Sequence, residues 1–340
     1  MAPMADIPVL ITVDMPEALL DRLRTVSPQI QIDLQPTGDV SDITEEQLGE
    51  MEVLYTRQAL PEPEQVPNLR WIQFHWSGID DFVDQSLLRS DVIVTTLSGA
   101  AVPQMGEFAM TMMMALGHHL PAMMEDQGEK TWADKRFTRF RPVELRGSTV
   151  GIVGYGNIGR EIARLCQSFG AEVLATKRDL KVLEMGGYAL EGLGDAPADI
   201  PERLYPPQAL PSMASACDFL IVTVPLTPET RGLVNAKVFQ SMKSTAYLID
   251  LSRGGVVDQG ALVEALKEGG IAGAAVDVYP VEPLPESSPL WELPNVILSP
   301  HVAGTSGQYL ARAADLFAEN LRRYIANETL LNRYDPRRGY

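Results

Sequence analysis

The sequence predicts an α/β protein of two doubly wound units, each with a parallel sheet at its centre. Short apolar runs alternate with helical patterns along most of the chain, and a glycine-rich turn at 154–159 restarts that alternation at mid-chain. The chain has 340 residues, 45% of them hydrophobic, which is enough for two cores. Because parallel strands need crossover helices, the alternation favours parallel sheets with helices on both faces.

The first unit contains five runs that we interpret as strands, at 8–13, 30–34, 53–56, 69–76 and 92–97. Helical patterns at 16–26 and 45–51 connect the early runs. This rhythm is typical of βαβ units. The first unit is therefore predicted to be flavodoxin-like.

The second unit restarts after a methionine-rich helical pattern at 102–124, which Gly117 and Pro121 interrupt. Its predicted strands lie at 149–154, 172–176, 219–225, 246–251, 271–278 and 295–299. Their alternation with helical segments predicts a second doubly wound, Rossmann-like sheet. Residues 180–211 are rich in glycine and proline, and we interpret them as an irregular loop or an insertion.

The final helical pattern, 307–328, has apolar residues on one face and is expected to pack onto the first unit. We therefore assign residues 1–101 and 305–340 to a substrate-binding domain and residues 102–304 to a dinucleotide-binding domain. A ligand site is expected in the cleft between two such domains.

Charge and composition argue against several classes of protein. The formal net charge is −17 and no long basic block is present, which disfavours nucleic-acid binding. No run approaches the roughly 20 apolar residues of a membrane span, and residues 1–9 lack a basic segment followed by an apolar one. A cytoplasmic location is expected. Cys166 and Cys217 have no metal-ligand spacing, so neither a disulfide framework nor a metal site is expected.

A GxGxxG sequence follows the predicted strand at 149–153 and opens a helical pattern. Its residues are Gly154, Tyr155, Gly156, Asn157, Ile158 and Gly159. In this context the glycines allow a tight turn, a close approach of pyrophosphate and close packing of helix and strand, while the helix N-terminus supplies N–H donors. The segment predicts a dinucleotide site.

The strand at 172–176 leads into Lys177 and Arg178, where an NAD enzyme usually has an acid that bonds the ribose hydroxyls. Two cations suit a 2′-phosphate instead, so NADP is favoured over NAD. In the alternative, both cations are solvated and Asp179 binds the ribose.

Three polar residues interrupt the later apolar strands: Arg253, Glu282 and His301. A guanidinium clamps a substrate carboxylate, an imidazole exchanges a proton with a carbonyl or hydroxyl oxygen, and a carboxylate fixes the imidazole. Each residue also has a structural interpretation, as a helix-capping cation, a surface carboxylate and a core histidine respectively. Together with the dinucleotide turn they supply every role of hydride transfer.

A glycine turn after the predicted strand at 69–76 is a further candidate. Ser77 and Gly78 are expected to offer backbone N–H groups to a substrate carboxylate. The bulky His75 and Trp76 precede them and indicate an unusual pocket. Arg57 is a weaker candidate.

Several motifs in this order resemble the D-isomer-specific 2-hydroxyacid dehydrogenase family, and in particular its glyoxylate/hydroxypyruvate reductases. Besides the glycine turn, the similar segments are Val224-Pro225-Leu226-Thr227, Ser252-Arg253-Gly254, 274–283, Pro294-Asn295-Val296 and Pro300-His301-Val302-Ala303-Gly304. The resemblance covers most of the chain.

The resemblance implies that Arg253, Glu282 and His301 are catalytic and that Ser77 and Gly78 form the substrate loop. It places Val224 and Pro225 in a cofactor motif, and it implies that Asp277 contacts the nicotinamide carboxamide. From its position alone, Asp277 could equally be a structural acid at the end of a strand. The substrate would be a small 2-oxo or D-2-hydroxy acid and the protein a homodimer through its cofactor domain. A non-catalytic dinucleotide-sensing corepressor and another Rossmann class, such as an amino-acid dehydrogenase, are the alternatives.

Overall fold

The computed structural model describes residues 6–184 and 186–339; Met1–Ala5, Met185 and Tyr340, and with them part of the predicted N-terminal segment, lie outside that description. The described chain forms two compact units. Unit 1 comprises Met1–Ala101, Gly187–Leu190 and Ser306–Tyr340, so far as these residues are described, and unit 2 comprises Val102–Gly186 and Glu191–Thr305. The sequence analysis placed Gly187–Leu190 with the second domain, whereas the structure groups this segment with unit 1.

Twelve strands are present in the described residues: β1 Ile7–Ile11, β2 Ile30–Leu34, β3 Val53–Thr56, β4 Trp71–Phe74, β5 Ile93–Thr95, β6 Thr149–Val153, β7 Glu172–Thr176, β8 Arg203–Tyr205, β9 Phe219–Val222, β10 Tyr247–Asp250, β11 Gly273–Val276 and β12 Val296–Leu298. Ten α-helices accompany them: α1 Glu17–Arg24, α2 Glu45–Glu50, α3 Val102–Gly117, α4 Leu120–Gly128, α5 Arg136–Arg139, α6 Asn157–Ser168, α7 Leu210–Ala214, α8 Ala236–Ser241, α9 Gln259–Lys267 and α10 Tyr309–Ile325.

Unit 1 has a five-stranded parallel sheet in the order β2-β1-β3-β4-β5. This is the flavodoxin order, as predicted. Successive side chains of a strand point to opposite faces, so Val9 and Ile11 enter one apolar cluster and Leu10 enters the other. Phe317 and Leu321 of α10 complete the first cluster, so the C-terminal helix covers one face of this sheet.

Unit 2 has a seven-stranded parallel sheet in the order β12-β11-β10-β9-β6-β7-β8. The order reverses between β6 and β9, which is the switch point of a Rossmann sheet. A buried cluster that includes Val153, Leu220 and Leu248 packs one face of the sheet against α7, α8 and α9. The two predicted parallel sheets are confirmed.

Strand β8 lies inside the segment 180–211, which the sequence analysis interpreted as an irregular loop or an insertion. It has only three residues, its Arg203 is exposed and prolines flank it, so no apolar run indicates it. Strand β8 is formed by its pairing with β7 at the sheet edge, although its sequence has no strand pattern.

Pro121 was predicted to interrupt the helical pattern at 102–124. It does not break a helix, because it lies in the first turn of α4, where proline is well tolerated.

Within the described residues, no helix is both long and apolar enough to cross a membrane. Cys166 and Cys217 are buried free thiols. Burial raises the pKa of each to about 12, so both are unreactive at neutral pH.

Candidate active site

The candidate residues of unit 2 follow the carboxyl ends of its parallel strands. Gly154 follows β6, Arg253 follows β10, Asp277 follows β11 and His301 follows β12. These strands are parallel members of one sheet, so their carboxyl ends lie along the same edge. In open α/β sheets this edge is where ligands bind.

The glycine turn has the shape that a dinucleotide requires. Gly154 has φ +105°, and a Cβ atom there would lie 2.7 Å from Cγ1 of Val224. A Cβ atom on Gly159 would lie 2.2 Å from the carbonyl oxygen of Gly154, so only glycine permits this contact of helix and turn. Gly156 faces open space and precedes α6 with no side-chain cap. An uncapped helix N-terminus beside open space fits a pyrophosphate group.

The remaining residues of the turn differ in what they offer. The Tyr155 side chain is only 2% exposed and its hydroxyl donates to Asp195, while its backbone N–H donates to the carbonyl of Thr176. Asn157 and Ile158 begin α6 and are half-buried. The equally half-buried Val224 and Pro225 follow β9, the strand beside β6.

The cations predicted to meet a 2′-phosphate follow β7. Lys177 is half-buried, and burial and the charge of Arg160 lower its pKa, while Asp179 partly opposes that shift. Arg178 is exposed. The Asp179 carboxylate accepts a bond from the backbone N–H of Lys181, so it stabilises its own turn.

His301 and Glu282 form a close pair. Nδ1 of His301 lies 2.8 Å from Oε2 of Glu282, and the side chains are 41% and 36% exposed. The other carboxylate oxygen of Glu282 accepts the backbone N–H of Tyr279 at 2.9 Å, which fixes the orientation of the carboxylate. A carboxylate at Nδ1 sets the imidazole tautomer and directs Nε2 away from the pair.

Asp277 anchors the segment that contains His301. Its carboxylate accepts bonds from the Ser299 hydroxyl at 2.7 Å and from the backbone N–H groups of Val302 and Ala303 at 2.9 and 3.0 Å. The residue is 2% exposed. Asp277 therefore has the structural role at a strand end that the sequence left open as an alternative, and its bonds hold the loop that contains His301.

Arg253 follows β10 in a turn that bonds back on itself, since its Nη1 donates to the Ser252 carbonyl at 2.9 Å. The buried Asp250 at the end of β10 accepts two bonds from Ser252. The sequence analysis missed Asp250. The signal available was an acid that ends an otherwise apolar strand.

The predicted substrate loop belongs to unit 1 and follows β4. The Ser77 hydroxyl donates to the Leu97 carbonyl at 3.0 Å. The preceding His75 is 2% exposed, its Nδ1 lies 2.6 Å from the Tyr55 hydroxyl, and burial lowers its pKa to about 3. His75 is therefore neutral at physiological pH and has a structural role. Next to it, the guanidinium of Arg57 lies 5.3 Å from the ring centre of Trp76.

In the described part of the chain, no group of three or more His, Cys, Asp or Glu side chains is placed to hold a metal ion. The candidate groups on this edge of the sheet are the glycine turn, the guanidinium of Arg253 and the His301–Glu282 pair.

Comparison with known proteins agrees with this chemistry. Residues 110–303 match the model of the NAD binding domain of the D-isomer specific 2-hydroxyacid dehydrogenases. A glyoxylate reductase of Thermofilum pendens is 35% identical over 77% of this chain and 74% of its own length. A glycerate dehydrogenase of Methylorubrum extorquens is 31% identical, with 78% of each chain covered. The solved D-isomer specific 2-hydroxyacid dehydrogenase of Xanthobacter autotrophicus Py2 superimposes with a TM-score of 0.81 at 31% identity, covering 99% of this chain and 100% of that one. The chain belongs to the D-isomer specific 2-hydroxyacid dehydrogenase family and is an NAD(P)-dependent oxidoreductase of 2-hydroxy acids.

Proposed function

We propose that this protein reduces a small 2-oxo acid of the glyoxylate or hydroxypyruvate type to the D-2-hydroxy acid, with NADPH as the preferred reductant. The observation that carries the proposal is the His301–Glu282 pair, 2.8 Å apart, on the sheet edge where Arg253 and the glycine turn also lie. Relatives named glyoxylate reductase and glycerate dehydrogenase support the substrate class.

A dinucleotide held at the glycine turn of Gly154, Gly156 and Gly159 would supply hydride chemistry at this site. His301, as imidazolium, donates the proton at Nε2 to the carbonyl oxygen, and in the reverse direction neutral His301 accepts the hydroxyl proton. Glu282 at Nδ1 orients the ring and stabilises its charged form. The pair therefore exchanges one proton with the substrate oxygen in each turnover.

Arg253 binds the substrate carboxylate through its planar guanidinium and polarises the neighbouring carbonyl. For Ser77 and Gly78 of unit 1 we propose that their backbone N–H groups donate to a substrate carboxylate. Replacing Arg253 by Lys is expected to raise KM for the 2-oxo acid, because a point charge cannot reproduce the two parallel bonds.

The preference for NADPH rests on Lys177 and Arg178, which follow the strand that ends nearest the adenosine ribose in this fold. Asp179, the competing ribose ligand, already accepts the N–H of Lys181. The Xanthobacter relative was crystallised with NADPH.

We also propose that the Asp277 carboxylate contacts the nicotinamide carboxamide. This contact would add to the bonds that the carboxylate makes with the loop after β12.

One assay tests the proposal. Purified protein is supplied with glyoxylate, hydroxypyruvate, pyruvate and phenylpyruvate, each with NADPH and with NADH. We expect the highest kcat/KM for glyoxylate or hydroxypyruvate with NADPH. A clear preference for NADH would contradict the cofactor assignment, and dinucleotide binding without turnover of any acid would contradict the catalytic one.

We also propose a cytoplasmic homodimer. The two buried free thiols suit a reducing compartment, and cell fractionation tests the location. The dimer is supported by two exposed apolar side chains of the cofactor unit, Trp132 between α4 and α5 and Phe137 in α5, which are 81% and 79% exposed. Apolar groups so exposed mark interaction surfaces when they cluster.

A further inference from the structure

Asp250 is a buried acid whose position the proposed reaction does not explain. It ends β10, and three apolar residues precede it in the strand. It is 3% exposed. A carboxylate is expensive to bury, so its bonds show what stabilises it there.

Both bonds of Asp250 reach Ser252. One carboxylate oxygen accepts the backbone N–H of Ser252 at 3.1 Å and its hydroxyl at 2.5 Å. Ser252 is itself 2% exposed, so neither donor has water as an alternative partner. The Asp250 carboxylate therefore fixes the peptide unit and the side chain of Ser252 together.

Ser252 in turn holds the guanidinium of Arg253. Its carbonyl oxygen accepts Nη1 of Arg253 at 2.9 Å. Because this carbonyl belongs to the residue that Asp250 immobilises, a rotation of the Ser252 peptide would move the guanidinium. Hydrogen bonds therefore connect Asp250, at the end of β10, through Ser252 to the guanidinium of Arg253.

We propose that Asp250 is a positioning residue for substrate binding, which acts on the carboxylate-binding Arg253 through Ser252. This inference rests on the role of Arg253 in the proposed function. Asp250 is 3% exposed, so its carboxylate offers almost no surface to a ligand. Its removal should therefore weaken binding of the 2-oxo acid and leave the dinucleotide site intact.

Opposing effects act on the pKa of the Asp250 carboxyl group. Burial raises its pKa to about 7, with the Ser252 bonds opposing and Asp277 adding to the shift. The titratable groups around it are Asp277 and Tyr279, which follow the adjacent β11, and Arg253 on its own turn. On its other side β9 ends in Val222, which does not titrate, and the helical face contributes apolar side chains.

Asp250→Ala and Asp250→Asn test the proposal in the full-length protein. Alanine removes the acceptor of a buried N–H, so KM for glyoxylate should rise at least ~10-fold. The Kd of NADPH should stay within about twofold, as expected for an independent site. Asparagine keeps an acceptor oxygen but cannot ionise. It should restore KM to near the wild-type value, because its amide oxygen still accepts from Ser252, and a rescue of this kind separates the loss of the bond from a general loss of structure.

Asp218→Asn is the matched control, because Asp218 precedes β9 at the amino end of the same sheet and bonds Thr149 and Lys243. It should leave KM unchanged. If Asp250→Ala does not fold, Ser252→Ala replaces it, since it removes the hydroxyl bond alone and should raise KM severalfold. Wild-type KM in both Asp250→Ala and Ser252→Ala, or an equal loss of NADPH affinity, would overturn the inference. A wild-type KM in Arg253→Lys would instead overturn the proposed role of Arg253.

Discussion

His301 has φ +53°, a left-handed conformation that crowds the Cβ of any residue except glycine. Such a conformation costs on the order of 1 kcal/mol or more and persists only where its surroundings impose it. Here the Asp277 carboxylate accepts the N–H groups of the two following residues and fixes the backbone just after His301. The unusual backbone aims the imidazole at Glu282.

Replacing His301 by Ala should remove most turnover and leave the dinucleotide affinity nearly unchanged. General acid–base catalysis contributes roughly 10²–10⁴-fold, so kcat should fall by about that factor. Steady-state kinetics and NADPH fluorescence titration measure the two quantities. Full activity in this variant would show that another group transfers the proton.

Asp250 should also make stability depend on pH. Folding raises its pKa from 3.8 to about 7, so the folded protein holds this proton more tightly than the unfolded chain does. The contribution of Asp250 to stability is therefore greatest at low pH, and it is lost as pH rises from 3.8 to about 7. Asp250→Asn should gain in Tm relative to the wild type as pH increases from 5 to 8. A difference in Tm that is constant with pH would contradict this.

The candidate catalytic residues could be predicted from the sequence, whereas most of the contacts that hold them could not. Arg253, Glu282 and His301 interrupt apolar runs, so their types and positions suggested a site. For Asp277 a nicotinamide contact and a structural role at the end of its strand were both predicted as alternatives, and Asp250 was missed. The bonds of Asp277 to the loop after β12 depend on the pairing of β11 with β12, which sequence spacing does not give. The bonds of Asp250 are local, because they join residues two positions apart.

At the scale of elements, periodicity predicted the strands that end at the candidate site. The apolar runs of β6, β9 and β10 are wholly buried, so their composition identifies them. Strand β8 is short and partly exposed, and it exists through its pairing with β7. Edge strands of this kind leave little trace in composition.

The segment between β7 and β8 is fastened by Arg160 of α6. This arginine is 1% exposed, and its guanidinium donates to the carbonyl oxygens of Leu183, Asp195 and Ala196. It also lies 4.9 Å from the ring centre of Tyr155. The Arg160 side chain therefore contacts both ends of the irregular segment 183–196 and the Tyr155 ring of the glycine turn.

Arg160→Met should release this loop, because methionine fills similar space without donating any hydrogen bond. Three carbonyl oxygens would lose their donor, and each buried loss costs roughly 1–3 kcal/mol. Limited proteolysis should then cut within 183–196 faster than in the wild type. Arg322→Met is the control, since the exposed guanidinium of Arg322 bonds Glu319 of its own helix, α10. Equal cleavage in both variants would mean that other contacts hold the loop.

At the scale of the whole molecule, each unit has its own sheet and its own buried clusters. The division of the chain follows from this, because α10 completes the core of unit 1 after the chain has built unit 2. Unit 2 also contains a buried polar atom that lacks a hydrogen bond. Oδ2 of the buried Asp126 in α4 is the one buried side-chain oxygen or nitrogen without a hydrogen-bond partner in the described residues.

Trp132→Glu combined with Phe137→Glu should dissociate the proposed homodimer. Both side chains are about four-fifths exposed in the single chain and lie near Asp126, whose other oxygen bonds Arg139 of α5. Aromatic anchors in an interface each contribute on the order of 2 kcal/mol, so two buried charges in their place should weaken association at least ~100-fold. Light scattering at micromolar concentration should give twice the chain mass for the wild type and the chain mass for the double variant. Trp291→Glu, at a residue that is 55% exposed elsewhere in unit 2, should remain dimeric, and a double variant that also remains dimeric would place the interface on another surface.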